Sequence, residues 1–221
     1  TPPTDPTLVS PSHSAGGWSN VPVIAVEWSG AVDGGAGVAG YSLLFDSAAG
    51  TLPDTTLEVT GGGGAYSTSS PALVDGVHFF HLRTCDHADN CSAGVHAGGF
   101  GVDTVPPGNP TGLASTSHTI GLPAPVSVID MAWTPALDSP PVPSGIAGYS
   151  VSFDQAVGGE PDYVVDVPGA ATGASSEPLP NGTYYFHLRT RDLAGNWGPV
   201  VTTGPYVIFD RALNLDIPRK L

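Results

Sequence analysis

The sequence predicts an all-β protein built from two copies of one sandwich, and three observations carry that prediction. The first is internal repetition. Residues 36–46 read AGVAGYSLLFD and residues 144–154 read SGIAGYSVSFD, while DGVHFFHLRTCDHADNCS at 75–92 returns as NGTYYFHLRTRDLAGNWG at 181–198. The offset stays near 105–108 residues, the size of a small domain with one modest core. The second is turn chemistry: with 30 Gly and 23 Pro, turn signals recur every eight to twelve residues, and the segments between them alternate apolar and polar. The third is that no segment carries a persuasive amphipathic helical period.

The strands follow in order. In copy one, Ile24, Val26 and Trp28 share one face of a strand; Tyr41, Leu43 and Phe45 line the next; His78, Phe80, Leu82 and Thr84 line a later one. Copy two matches them with Ile129, Met131 and Trp133, then Tyr149, Val151 and Phe153, then Tyr184, Phe186, Leu188 and Thr190. Side chains two apart lie on one face of a strand, so these sets would meet in one core per copy. The division expected is a sandwich over 1–104, a second over 105–210, and a non-repeating tail over 211–221. At the junction, Val105-Pro106-Pro107 holds the chain extended and removes two backbone donors. Two sandwiches joined in this way are expected to form a semi-rigid rod. The opening TPPTDPT resembles VPPGNPT at 105–111, which suits a segment of a longer array.

Charge narrows the function classes. Asp and Glu number 20 against 6 Lys and Arg, for a formal net charge of −14. Such a surface repels phosphate backbones and anionic lipid, which argues against nucleic-acid and membrane-surface binding. No apolar run approaches the length of a membrane span. The two cysteines, Cys85 and Cys91, are separated by five residues. That spacing is wide for a C-x2-C metal set and suits a disulfide stapling a hairpin. Copy two has Arg191 and Trp197 in their places, so the staple is optional in this fold. A disulfide implies an oxidising compartment, hence an extracellular or cell-surface location.

A strand ending in Trp, then a Gly-Tyr strand, then G-x-Y-x-F-x-L-R-T, resembles the fibronectin type III fold, an Ig-like β-sandwich. The closer resemblance is to tandem modules of large exported bacterial proteins. In those, D-x-A-G-N follows the last long strand and D-T-x-P-P joins modules. Here these are RDLAGN at 191–196, the degenerate CDHADN at 85–90, and DTVPP at 103–107. Tyr184 fits the tyrosine corner, whose hydroxyl bonds back to the chain, and His78 occupies that place in copy one. The resemblance implies non-catalytic structural or interaction modules: a spacer, adhesin or filament segment of a bacterial surface or secreted protein. The alternative is an accessory carbohydrate-binding or spacer region of a secreted hydrolase.

His78, His81, Cys85, Asp86, His87, Asp89, Cys91 and His96 cluster in sequence as zinc ligands do, but His81 is matched by His187 with the same neighbours. That match points to a hydrogen bond or packing on the outward sheet face. Calcium is the better cation candidate, at the loop carboxylates Asp33, Asp138, Asp86, Asp192 and Asp103. The competing reading is that these residues cap turns through their own backbone. Arg83 and Arg189, matched and outward-facing, are expected to form cross-strand ion pairs. Trp18, Trp197, Phe79 and Tyr185 are candidate aromatics for stacking on a glycan or a protein partner. Asn181-Gly182-Thr183 matches a glycosylation sequon and equally a turn. No G-x-S-x-G elbow or P-loop occurs, and no enzymatic activity is expected. In the tail, Leu213, Leu215 and Ile217 alternate, as in a strand that docks on another module or a second subunit.

Overall fold

The computed structural model describes residues 1–210, so Leu213, Leu215 and Ile217 lie outside the described residues. The chain divides into two compact units, Thr1–Thr104 and a second beginning at Val105. Every regular element in the described residues is a strand.

The first unit holds β1 (Thr7–Val9), β2 (Trp18–Ser19), β3 (Ala25–Ser29), β4 (Val38–Asp46), β5 (Val59–Thr60), β6 (Tyr66–Ser69), β7 (Gly76–Asp86) and β8 (Val95–Val102). A three-stranded sheet, β1-β3-β6, packs on a five-stranded one, β2-β8-β7-β4-β5. All pairings are antiparallel except β2 on β8. The period-two faces meet as expected: Ile24, Val26 and Trp28 from one sheet bury against Tyr41, Phe80, Leu82 and Phe100 from the other. The Trp28 ring stands edge-on to Tyr41 at 5.5 Å between centroids, a favoured aromatic geometry.

The second unit repeats the plan with β9 (Thr111–Ser115), β10 (Pro123–Ala124), β11 (Asp130–Thr134), β12 (Ile146–Asp154), β13 (Val167–Pro168), β14 (Gly173–Ser175), β15 (Gly182–Asp192) and β16 (Val201–Ile208). Its sheets run β14-β11-β9 and β10-β16-β15-β12-β13. Ile129, Met131 and Trp133 bury against Tyr149, Tyr184, Phe186, Leu188 and Tyr206. Matched polar groups lock both cores. The Ser70 and Ser176 hydroxyls accept the buried N–H groups of Ile24 and Ile129, each at 3.0 Å. Tyr184 donates its hydroxyl to the Pro180 carbonyl at 3.1 Å, and His78 Nε2 meets the Val74 carbonyl at 2.8 Å. The imidazole therefore performs the tyrosine-corner bond, because it also places a donor four residues back along the chain.

Candidate functional site

The outer face of each five-stranded sheet carries a polar layer that the sequence reading missed. In the first unit, the β4–β5 connection over 47–58 folds back as a strap. Ser42 donates its hydroxyl to Asp54 (3.2 Å) and the Leu43 N–H goes to Glu58 (2.6 Å). In the second unit, the β12–β13 connection does the same. Ser150 bonds Asp162 (3.1 Å), and the Val151 N–H bonds Asp166 (2.7 Å). The carboxylates take strand donors that β5 and β13, two residues each, are too short to reach. The signal was present as LPDTTLEV at 52–59 against EPDYVVDV at 160–167, but it has no apolar period to draw attention to it.

The strap changes what the outward side chains experience. His81 and His187 face away from the core and are hydrogen-bonded, yet both are fully buried. The expected outward-facing, hydrogen-bonded position thus holds, with neither ring exposed. His81 Nε2 lies 3.0 Å from Asp46 and its Nδ1 lies 2.7 Å from His96 Nδ1. His187 Nε2 lies 3.2 Å from Asp154, but its Nδ1 meets the Thr202 hydroxyl at 2.8 Å. The Asp46 carboxyl is held down to about 2, first by the Thr51 side chain, then by the Ala48 N–H, with His81 adding to both.

The matched arginines differ from expectation. Arg189, 4% exposed, pairs with Glu160 of the strap at 3.0 Å, not with a residue on a neighbouring strand. Its guanidinium lies 4.3 Å from the Tyr163 ring centre. Arg83 Nε donates instead to the Ser92 carbonyl at 2.9 Å. Copy one has Leu52 and Thr55 where Glu160 and Tyr163 stand, which removes both partners.

Cys85 and Cys91 form the expected disulfide as a directly opposed cross-strand pair, and Arg191 and Trp197 form the equivalent pair in copy two. There Arg191 stacks near Trp197 (5.8 Å) and Tyr163 meets Trp197 edge-on (5.7 Å). One copy closes this hairpin covalently and the other with cation–π and aromatic contacts. In copy one a cavity of about 300 Å³ opens beside the disulfide, lined by Thr55, Leu57, His87 and Asp89.

Asp33, Asp86, Asp138 and Asp192 each hold their own turn. Asp33 accepts the N–H groups of Gly35 and Gly37, and Asp138 those of Ser139 and Gly145. Asp86 accepts from Ala88 and Asn90, and Asp192 from Gly195 and Asn196. The Asp86 carboxyl is held below its ordinary range, chiefly by the Asn90 side chain. The Asp-x-x-x-Asn turn needs a left-handed residue, which is Gly195 (φ 102°) in copy two and Asp89 (φ 60°) in copy one. Asp is among the few side chains that adopt this conformation readily. Asp103 is buried at the end of the first unit, its N–H bonded to the Ser19 carbonyl.

Of the candidate stacking aromatics, Trp18 lies over Gly101, where a Cβ would come within 2.6 Å of the indole. Tyr185 lies over Gly204 and Phe79 over Gly98 in the same manner. Trp197 stands apart from these, joined to Tyr163, which is 69% exposed. The Asn181 side chain clamps both backbone groups of Asp210, which explains its place ahead of Gly182 as a structural clasp.

No protein-family model and no curated protein matches the chain. Among solved structures, it is similar to the FN1–FN3 domains of chicken CNTN1, with a TM-score of 0.45 and 17% identity, covering 94% of this chain and 68% of that one. It is also similar to fibronectin(III)-like modules of Clostridium thermocellum CbhA, with a TM-score of 0.45 and 14% identity, covering 93% and 96%. By its own strand order, three strands packed on five in each unit, the chain is two all-β sandwiches, the fold that the resemblance to fibronectin type III modules implies.

Proposed function

We propose that the chain is a non-catalytic extracellular module pair that spaces or presents neighbouring parts of a bacterial surface or secreted protein. The observation that carries this reading is that the reactive side chains serve the scaffold, with the histidine–aspartate pairs and the turn-capping aspartates matched in both copies. His81 and His187 pair with Asp46 and Asp154 at the ends of β4 and β12, Asp86 and Asp192 cap matched hairpin turns, Arg189 ties the strap to the sheet through Glu160, and Cys85–Cys91 closes one hairpin. The disulfide supports an oxidising, extracellular setting. No helix among the described residues is long and apolar enough to cross a membrane. Pulling the chain from its ends tests the spacer role. Two separate unfolding events are expected, each releasing roughly 30 nm for about 100 residues, together with no turnover of glycoside, ester, peptide or phosphate substrates. Continuous extension at low force, or turnover, would sink it.

A second reading, an accessory glycan-binding role, is favoured by one feature. The exposed Tyr163 and the half-buried Trp197 form an aromatic corner that copy one lacks. Glycan binding that disappears in Trp197→Ala and persists in Trp18→Ala would establish it. Calcium at the loop aspartates Asp33, Asp86, Asp103, Asp138 and Asp192 is a separate proposal, tested by whether calcium raises and EDTA lowers the melting temperature.

A further inference from the structure

We propose that His81 and His96 form a binding site for a late transition-metal dication, copper(II) foremost, on the outer face of the first unit's five-stranded sheet. The two residues stand directly opposite each other on β7 and β8. Their Nδ1 atoms converge to 2.7 Å, with the rings inclined at 71°. His81 is held for this task. It is fully buried, and its Nε2 faces the Asp46 carboxylate, which is itself fixed by the Ala48 N–H at 2.8 Å. An Nε2–H donated to Asp46 sets the tautomer, so the His81 Nδ1 lone pair accepts the Nδ1–H of His96, a hydrogen bond that a bound ion replaces as His96 gives up that proton. A carboxylate behind a histidine ligand is the usual support of a metal-bound imidazole. His96 is exposed, so it can turn by the small amount that an ion requires, and its open side leaves room for water as the remaining ligands.

Distance decides between metals. Two nitrogens bound at about 2.0–2.1 Å are roughly 2.9 Å apart at adjacent corners of a square and roughly 3.4 Å apart at tetrahedral corners. The hydrogen-bonded nitrogens, 2.7 Å apart, have to separate by only about 0.2 Å for the square arrangement, which copper(II) and nickel(II) prefer, against about 0.7 Å for the tetrahedral one that zinc prefers. The general affinity order for divalent ions then places copper first. Copy two supplies an internal control. His187 is equally buried and faces Asp154 in the same way, but its Nδ1 meets the Thr202 hydroxyl, a poor ligand for such ions.

The test is titration of copper(II) into the whole chain, followed by electron paramagnetic resonance and by competition with a chelator. One ion per chain with two-nitrogen hyperfine structure is expected, and nickel(II) should bind more weakly. His96→Ala, at an exposed position, should weaken binding at least about tenfold, and Asp46→Asn by about ten- to a hundredfold. His87→Ala should leave binding unchanged. Thr202→His should create a second equivalent in copy two, a gain that loss of folding cannot mimic. The proposal is overturned if the chain binds no copper at this stoichiometry, if a folded His96→Ala variant binds as tightly as the parent, or if Thr202→His adds no site.

Discussion

Removing the disulfide as C85A/C91A measures how much of the first unit's hairpin is held by covalent closure. The bond spans a sequence separation of 6, and closing so short a loop restricts the unfolded chain by about 2 kcal/mol in the chain-entropy account. Cys85 is buried, so truncation adds a small packing loss. Against this stand contacts that survive: the Asp86 N–H to the Asn90 carbonyl (2.9 Å), the Ser92 N–H to the Thr84 carbonyl (2.8 Å), the Asp86 carboxylate on Ala88 and Asn90, and the Ser92 hydroxyl on Asp5. Copy two closes the same hairpin with no sulfur at all. The variant should therefore fold, with its first unit melting about 10–15 °C lower, at roughly 4–8 °C per kcal/mol for a domain of this size. Scanning calorimetry gives the shift, and hydrogen exchange assigns it to β7 and β8. A first unit that no longer folds would refute the claim that the hydrogen bonds suffice. A shift of less than a few degrees would refute the loop-entropy estimate.

Ser70→Ala and Ser176→Ala each leave a buried N–H, of Ile24 or Ile129, without its acceptor. Each should lower stability by about 1–3 kcal/mol in chemical denaturation. Gly101→Ala places a Cβ against the Trp18 indole and the Gly17 carbonyl; a loss of about 1–3 kcal/mol with altered tryptophan fluorescence is expected. The Asp86 and Asp54 carboxyls are depressed below the ordinary 3.8, by the Asn90 side chain and the Thr56 N–H foremost. A depressed folded-state value means that this stabilisation is present above pH 3.8 and is lost as the pH falls below it. Acid titration should thus loosen the first unit's strap and hairpin in that range, and Asp86→Asn should flatten the profile. Truncation after Asp210 keeps the Asn181 clasp, so melting should be unchanged, whereas any self-association should disappear in sedimentation.

The two copies, their apolar strand faces and the stand-in of His78 for a tyrosine were legible in the chain because they are local patterns stated twice. Ile24, Val26 and Trp28 need only the two-residue period to share a face, and burial follows from hydrophobicity. The optional staple was legible for the same reason, since Arg191 and Trp197 in copy two mark the position as variable. The resemblance to fibronectin type III modules rested on such repeated motifs, and the strand order agrees with it.

What tertiary structure alone decided is who meets whom across long stretches of chain. His81 reaches His96 across 15 residues and Asp46 across 35, pairings set by strand register. The straps are held by carboxylates on strand amides and hydroxyls 12 to 16 residues away, contacts with no periodicity in sequence. Polar recognition of this kind depends on direction and distance between groups that folding brings together. An apolar face can be read from residue type, but a hydrogen-bonded layer exists only once both partners are in place.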